Sequence, residues 1–393
     1  MADHIGTRIA YWRRRRGGMT QAVLAGLAGV SQPYISRIEA GHEPVERRST
    51  LVAIASALQV TVMDLLNTPD DQTDPAKDAI SAVIPDIRAA IIEWEEDDLR
   101  PPARSRAEVE DLARTVDEMR ARSEHAAMAP LMAGFIRDAS HYGGELLVRA
   151  GYEASVCLRN LGHRDLALPA ARICVAAAEA TEHTAWMGAA AFVHTLAMPI
   201  EAAPTTGRIA DRSVSMLQAN AADQSVRQML GQMHLSASMA YAVAGRPDIA
   251  ADHLAAARAE ADTLGDPVDG AGFNLCGFGP TNLALWQMSV DVELGEYGRV
   301  VELAKRTTPA PLVVANRHQS YWMTYGRALS HSGKTDREAL AAFINAERIA
   351  PTTFALQPMA RDSIVAMVHR ARRRSVSSEL RIMARRVGVD VGV

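Results

Sequence analysis

Four stretches of this chain share one design: a helix-forming segment of small and apolar residues, a glycine, and a second alanine-rich segment. They read ASVCLRNLGHRDLALPAARICVAAAEA, ASMAYAVAGRPDIAADHLAAARAEA, SVDVELGEYGRVVELAKRT and GRALSHSGKTDREALAAFINAERIAP, and they turn at Gly162, Gly245, Gly295 and Gly333, with a further candidate turn at Gly207. The five glycines lie 45, 38, 50 and 38 residues apart. A helical hairpin cannot bury its apolar face alone, so such units must stack on their neighbours. Composition agrees: 48% of residues are hydrophobic but only 5% aromatic, which favours close-packed helices over sheet. The fold class expected is all-α, with almost no strand.

At 393 residues the chain should divide into two or three units. Its three cysteines, Cys157, Cys174 and Cys276, are odd in number and lie in apolar helical text, which fits reduced thiols better than a disulfide framework. No Cys/His spacing points to a metal, and no cofactor motif is found. No apolar run approaches the roughly 20 residues that cross a bilayer, and no signal-like segment opens the chain, so the expected location is cytoplasmic. The net charge of -4 conceals a strong asymmetry. Residues 1–68 carry eight arginines against five carboxylates, a net +3, whereas residues 69–124 carry sixteen carboxylates against eight basic groups, a net -8. Attraction to a polyanion is local, so the basic segment counts by itself.

That segment reads as five short helices. In HIGTRIAYWRRRR, Ile5, Ile9 and Trp12 make one apolar stripe while Arg13 to Arg16 spread over other faces; helical residues turn by about 100° each, so at most one or two of those arginines can meet the same surface. Gly17 and Gly18 stop the first helix, and Thr20 caps a second that starts at Gln21. Gly29 ends it in a left-handed turn. Ser31 caps the third helix, QPYISRIEA, in which Pro33 fits the first turn and Ile35 and Ile38 face inward. Gln32, Pro33, Tyr34, Ser36 and Arg37 are left facing outward. The run TLVAIASALQVTVMDLL supplies the fourth and fifth helices.

The order and spacing of MTQAVLAGLAGVSQPYISRIEAG and LVAIASALQVTVMDLL resemble the Xre/Cro-type helix-turn-helix repressors. The resemblance implies a DNA-binding domain over residues 1–68, with Gln21 on a phosphate, Gln32 at base edges or a phosphate, and Arg37 as a base reader; Ser31, Pro33, Tyr34 and Ser36 join them as candidate DNA contacts, and Arg47 and Arg48, in the loop after the third helix, either contact phosphate or are solvated. An arginine fork can bond guanine O6 and N7, and a glutamine amide adenine N6 and N7. It also implies a structural ion pair between Arg13 and Glu39. The chain departs from the family pattern at three places. Gly17-Gly18 adds a residue, Leu27-Ala28 puts the apolar side chain one place early, and Pro33 offers no polar atom where a contact is common.

TPDDQTDPAKD, residues 68–78, reads as an acidic linker. A connecting helix should follow, with Ile80, Ile84, Ile87, Ile91 and Trp94 on one face and a bend or split at Pro85; it is either a dimer seam or a first hairpin packed on the domain behind it. LRPPARSR marks a second break, so residues 69–106 form a connector and 107–393 a repeat domain. The unit with Gly333, Ala339, Phe343, Ala346 and Pro351 resembles a tetratricopeptide repeat, and the whole resembles actinobacterial regulators that join such a reader to degenerate repeats. In overall arrangement it is also similar to the peptide-pheromone receptors of Gram-positive bacteria. Within the repeats GAGFNLCGFGPTNLALWQ breaks the pattern, with Thr281 expected to cap the helix that follows. With RHQSYWMTY it offers Asn282, Trp286, Arg317, Gln319, Tyr321 and Tyr325 as effector-binding candidates, unless these are ordinary hairpin core. The basic tail, Arg370 and Arg372 to Arg374, reads as solvated surface. No acid-base constellation, P-loop or nucleophile elbow points to an enzyme. The function expected is a sequence-specific transcription regulator that binds a double-stranded DNA operator as a homodimer under control of a peptide or small-molecule effector. The alternative is a DNA-localised scaffold whose repeats recruit a partner protein.

Overall fold

The computed structural model describes residues 4–66, 75–267, 277–371 and 376–389. Five helices form an N-terminal unit: α1 Ile5–Arg15, α2 Gln21–Ala28, α3 Gln32–Glu39, α4 Arg48–Leu58 and α5 Val62–Leu66. Sixteen more follow. These are α6 Pro75–Glu95, α7 Arg106–Ala121, α8 His125–Tyr142, α9 Gly144–Asn160, α10 Arg164–Thr181, α11 Thr184–Ala197, α12 Ala203–Gln218 and α13 Gln224–Val243. Beyond them lie α14 Pro247–Leu264, α15 Pro280–Leu294, α16 Tyr297–Arg306, α17 Ala315–Ser330, α18 Asp336–Ile349, α19 Pro351–Ala355, α20 Pro358–Ala371 and α21 Ser378–Arg386. Among the described residues there is no strand, as the alanine-rich, aromatic-poor composition requires.

The N-terminal unit closes around Ile9, Leu24, Ile35, Ile38, Leu51 and Ile54, all fully buried. Each of its central helices starts on a side-chain cap: the Thr20 hydroxyl accepts the N–H of Val23 and the Ser31 hydroxyl that of Tyr34. Gly29 ends α2 at φ 66°. The early apolar residue resolves simply. Leu27 is 62% exposed while Ala28 is buried, so the small side chain takes the inward place.

Behind this unit the chain forms a helical repeat-like region in which sequence neighbours pack in pairs: α9 on α10, α12 on α13, α13 on α14, and α17 on α18. Gly162, Gly245, Gly295 and Gly333 stand at positive φ between paired helices. Three sequence expectations are corrected here. Gly207 is no turn; it lies inside α12 because the Tyr241 ring packs where its Cβ would be. Pro85 lies inside α6, which runs unbroken from Pro75 to Glu95 and packs on α8, so its isoleucines join the repeat core. Thr281 does not cap α15, which starts one residue earlier; its hydroxyl donates to Asp266 Oδ2 at 2.6 Å. Residues 67–74, 268–276 and 372–375 lie outside the described residues, and with them most of the expected acidic linker, Cys276 and Arg372 to Arg374. Arg370 is not merely solvated: it donates to both carboxylate oxygens of Asp336 and to the Ser330 carbonyl, tying α20 to α18.

The two regions are docked through carboxylates that the repeat region inserts at backbone N–H groups of the N-terminal unit. Glu293 accepts from the Arg48 N–H at 2.8 Å at the start of α4, whose N-cap, Arg47, offers no side-chain acceptor. Glu201 accepts from Val62 N–H at 2.7 Å at the start of α5. Asp362, buried, accepts from Val45 N–H at 2.7 Å and from the backbone of Ile5 at the start of α1. In the reverse direction, the Arg327 guanidinium donates to the Glu46 carbonyl, and the Glu46 carboxylate meets His331 Nδ1 at 2.7 Å. Helix N-termini carry unpaired donors and a positive dipole end, so anionic caps suit them.

Two outcomes follow. A Cβ at Gly151 would lie 2.5 Å from the backbone nitrogen of Cys174, where α9 meets α10. Gly151→Ala should therefore cost about 1–3 kcal/mol, an overpacking penalty against rigid backbone, read as a lowered denaturation midpoint. The docking contacts should also respond to pH. Burial pushes the Asp362 carboxyl up from 3.8 to about 7, and the hydrogen bond to Glu46 raises the His331 imidazole above 6.5. An acid with a raised value becomes destabilising once the pH exceeds its ordinary value, and the penalty grows until the pH passes the raised one. A histidine with a raised value contributes in full below its ordinary value and loses that contribution above the raised one. Asp362 therefore weakens docking progressively as the pH rises from its ordinary value toward about 7, and His331 does so as the pH rises above 6.5. Protection of the Val45 and Arg48 amides from hydrogen exchange, corrected for intrinsic rates, should fall between about pH 6 and pH 8; rising protection would contradict this assignment.

Candidate nucleic-acid interface and adjoining cavity

α2 and α3 present their outer side chains on one exposed face held from behind by a chain of polar contacts. Arg13, on α1, donates from Nε and Nη2 to the two carboxylate oxygens of Glu39 at 2.6 and 2.8 Å, and from Nη1 to the Met19 carbonyl at 2.6 Å. Both partners are largely buried, at 12% and 7% side-chain exposure, which makes this a fixed point and not a loose surface pair. The hydrogen bond to Glu39 raises the Arg13 guanidinium. Glu39 Oε2 also accepts from Gln21 Nε2 at 2.8 Å, and Gln21 Oε1 in turn accepts from Gln32 Nε2 at 2.9 Å. Gln32 is exposed, and its amide orientation is set through three side chains by a buried ion pair.

The remaining sequence-predicted contacts divide. Ser31, Pro33 and Arg37 are exposed beside Gln32, and Ser36 is half-buried. Arg37 is not free, because its Nε donates to the carboxylate of Glu43, a residue that the sequence reading passed over. Tyr34 turns inward and packs against the core of the N-terminal unit, where burial and the nearby Glu46 and Glu43 push its phenol up. Arg47 and Arg48 are held toward the repeat-like region. Arg47 lies close enough to Tyr297 of α16 to oppose the rise of that phenol, and Arg48 Nη1 donates to Glu293 Oε1 at 3.0 Å. The loop before α4 serves docking, and Arg48 spends its backbone N–H and one guanidinium nitrogen there. In the run Arg14 to Arg16, all exposed, Arg15 donates to Tyr11 Oη and Arg16 to Gln59.

Between the N-terminal unit and the repeats lies a cavity of about 340 Å³. Of the six effector candidates, Trp286, Arg317 and Gln319 line it. Arg317 stacks over the Trp286 ring at 5.7 Å, and Gln319 spends its amide on the Ala350 carbonyl at 2.8 Å. The other three belong to hairpin packing: Asn282 is fully buried and donates to Gln232, Tyr321 donates to the Ala304 carbonyl, and Tyr325 packs against Tyr321 and Trp322. The lining also holds Arg48, which the sequence places among the nucleic-acid contacts, and Arg120, Arg159, Arg164 and Arg327, which the sequence does not single out. Arg159, Arg164 and Arg327 sit singly in apolar or turn text, as in VCLRNLGHRD and YGRALS, so no local charge run marks them.

Residues 4–73 match a family model described as a helix-turn-helix domain. No curated protein and no solved structure matches the chain. Among the described residues, no helix is long and apolar enough to cross a membrane.

Glu39, inside the polar chain, and Glu43, beside Arg37, answer to distinct demands. Glu39→Ala should destabilise the protein by about 3 kcal/mol, because it strands a buried guanidinium. Glu43→Gln should leave stability nearly unchanged and tighten binding to DNA of any sequence several-fold, since it removes a carboxylate from beside Arg37. Thermal melts and fluorescence-anisotropy titrations of both variants measure the contrast; equal melting losses would refute the division of roles.

Proposed function

We propose that this chain is a sequence-specific transcription regulator of the Xre/Cro type, reading an operator as a homodimer and controlled by an effector held where the reader meets a tetratricopeptide-like region. The observation that carries the DNA-binding part is the exposed α3 face, with Gln32 oriented through Gln21, Glu39 and Arg13 inside the segment that matches a helix-turn-helix family model. α3 is the helix that enters the major groove, with its N-terminal residues toward base edges. Gln32 and Arg37 are its base readers, Pro33 can touch only a thymine methyl or sugar, and Gln21 and Ser31 lie toward the phosphates. Two readers related by a twofold axis would meet half-sites about 34 Å apart, or a multiple of that, on one face of the duplex. Recognition needs no enzyme chemistry, cofactor or membrane.

The cavity supports the effector part, since its wall is shared: Arg48 comes from reader helix α4 while Arg159, Arg164 and Arg317 come from the repeats. A molecule touching both would favour one relative placement of reader and repeats, which is the condition for any effector to shift an equilibrium.

In vitro selection from random duplexes with the full-length protein should yield a two-half-site motif. On that motif Arg37→Ala should lose about 1–3 kcal/mol while binding random DNA nearly as well as before, and Gln21→Ala should weaken both more evenly. Failure to enrich any motif, or equal losses for the two variants on both DNAs, would overturn the reading.

A further inference from the structure

The cavity at the reader-repeat junction carries more positive charge than its surroundings balance. Four arginines face one another there: Arg48 from α4, Arg159 from the end of α9, Arg164 from the start of α10 and Arg317 from α17. Arg48 has Glu293 as partner. Arg159 makes one protein hydrogen bond, from Nε to the Leu196 carbonyl at 3.2 Å. Among the described residues neither Arg159 nor Arg164 has a carboxylate partner, and no aspartate or glutamate lines the cavity. Burial, and then the charges of Arg164, Arg48 and Arg317, push the Arg159 guanidinium down to about 9. Burial and Arg48 likewise lower Arg164. Both side chains are half-buried, and withdrawing a guanidinium from water without a carboxylate partner is costly.

Neutral polar atoms in the same wall also lack partners. The Ser236 hydroxyl belongs to a residue only 5% exposed, and it and Asn316 Oδ1 make no hydrogen bond among the described residues. Apolar side chains, among them Phe192, Met239 and Leu285, complete the lining. The site is therefore amphipathic, with a cationic end that offers more donors than one carboxylate could accept.

We propose that this cavity binds a small organic phosphate, whose phosphoryl oxygens are held by Arg159, Arg164 and Arg48 and whose less polar remainder lies along Trp286 and its apolar neighbours. Arginine forks match phosphate oxygens two at a time, and several can share one phosphoryl group. A volume of about 340 Å³ falls at the lower end of small-molecule sites. Gln21, Gln32 and Arg37 are not in its lining, so the phosphate site is separate from the face assigned to DNA. The proposal rests on reading the cavity as the effector site and names the chemistry of the effector.

The test is titration of the full-length protein, free of DNA, with sodium pyrophosphate, AMP, ATP, adenosine and a pentapeptide, against sodium chloride at matched ionic strength. Isothermal calorimetry and thermal melts are the readouts. A saturable rise in melting temperature with the phosphate-bearing probes, absent with adenosine, the pentapeptide and chloride, is expected. Arg159→Met should weaken that binding about 10- to 100-fold, the loss of one charge-assisted contact. The same change should raise the melting temperature of the unliganded protein, because it removes an uncompensated charge while keeping the length of the stem. Should that variant fold poorly, Arg164→Gln is read by the same titration. No saturable response to any phosphate, a response only to the pentapeptide, or unchanged phosphate affinity in these variants would overturn the proposal. Because the titration contains no DNA, its failure leaves the DNA-binding reading intact. Phosphate binding that leaves operator affinity unchanged would instead overturn the effector reading and leave the site standing.

Discussion

Three carboxylates hold this molecule in one arrangement. Glu293, Glu201 and Asp362 all come from the repeat region, and each accepts backbone N–H groups at or near the start of a helix in the N-terminal unit. Those donors cannot be satisfied within their own helices. Thr20 and Ser31 cap α2 and α3 locally; α1 and α5 also carry local caps, His4 with Thr7 and Thr61 with Asp64, whereas α4 starts with no side-chain cap of its own. The unit thus has one face, α2 and α3, ordered by its own residues, and a docking face where the starts of α1, α4 and α5 also meet carboxylates from another part of the chain. Undocking would return three helix starts and several carboxylates to water.

This division explains what the sequence could and could not reveal. Caps, glycine stops and apolar spacing are local, and Thr20, Gly29, Ser31, Ile35 and Ile38 all stand within a few residues of what they organise. The bounds of α2 and α3 were legible for that reason, and so was the pairing of Arg13 with Glu39, through a motif that the resemblance supplied. The docking partners of Arg48 are not legible beside it, because they lie about 250 positions away, as Glu293 does. Tyr34 misled in the same manner: its place on α3 permits either an outward or an inward side chain, and packing against its own unit beside Glu46 decides.

The repeat region was legible as a class but not in register. Glycines at positive φ between helices carry a backbone signal, and Gly162, Gly245, Gly295 and Gly333 gave it correctly. Gly207 carries none, for it is small because an aromatic ring lies on it. Sequence does not separate those two uses of glycine. The effector candidates divide on similar grounds: aromatic and polar residues at helical spacing include Trp286, Arg317 and Gln319, which line the cavity, and equally Asn282, Tyr321 and Tyr325, which do not. The arginines that give the cavity its character lie on α4, α7, α9, α10 and α17, and only folding brings them together.

Arg48 joins the two themes. Its backbone N–H and its guanidinium both meet Glu293, so one carboxylate caps α4 and partly balances the cavity's charge. An anion that drew the Arg48 guanidinium toward Arg159 and Arg164 would act on the same carboxylate that anchors the reader. Relieving repulsion among those arginines would also remove a force that opposes docking. Such a ligand would need no separate relay to reach the reader, because one of the three arginines proposed to hold it joins the other two only while Arg48 is docked against the repeats. Its affinity for the docked and undocked states would then differ, and that inequality is the whole thermodynamic requirement for control.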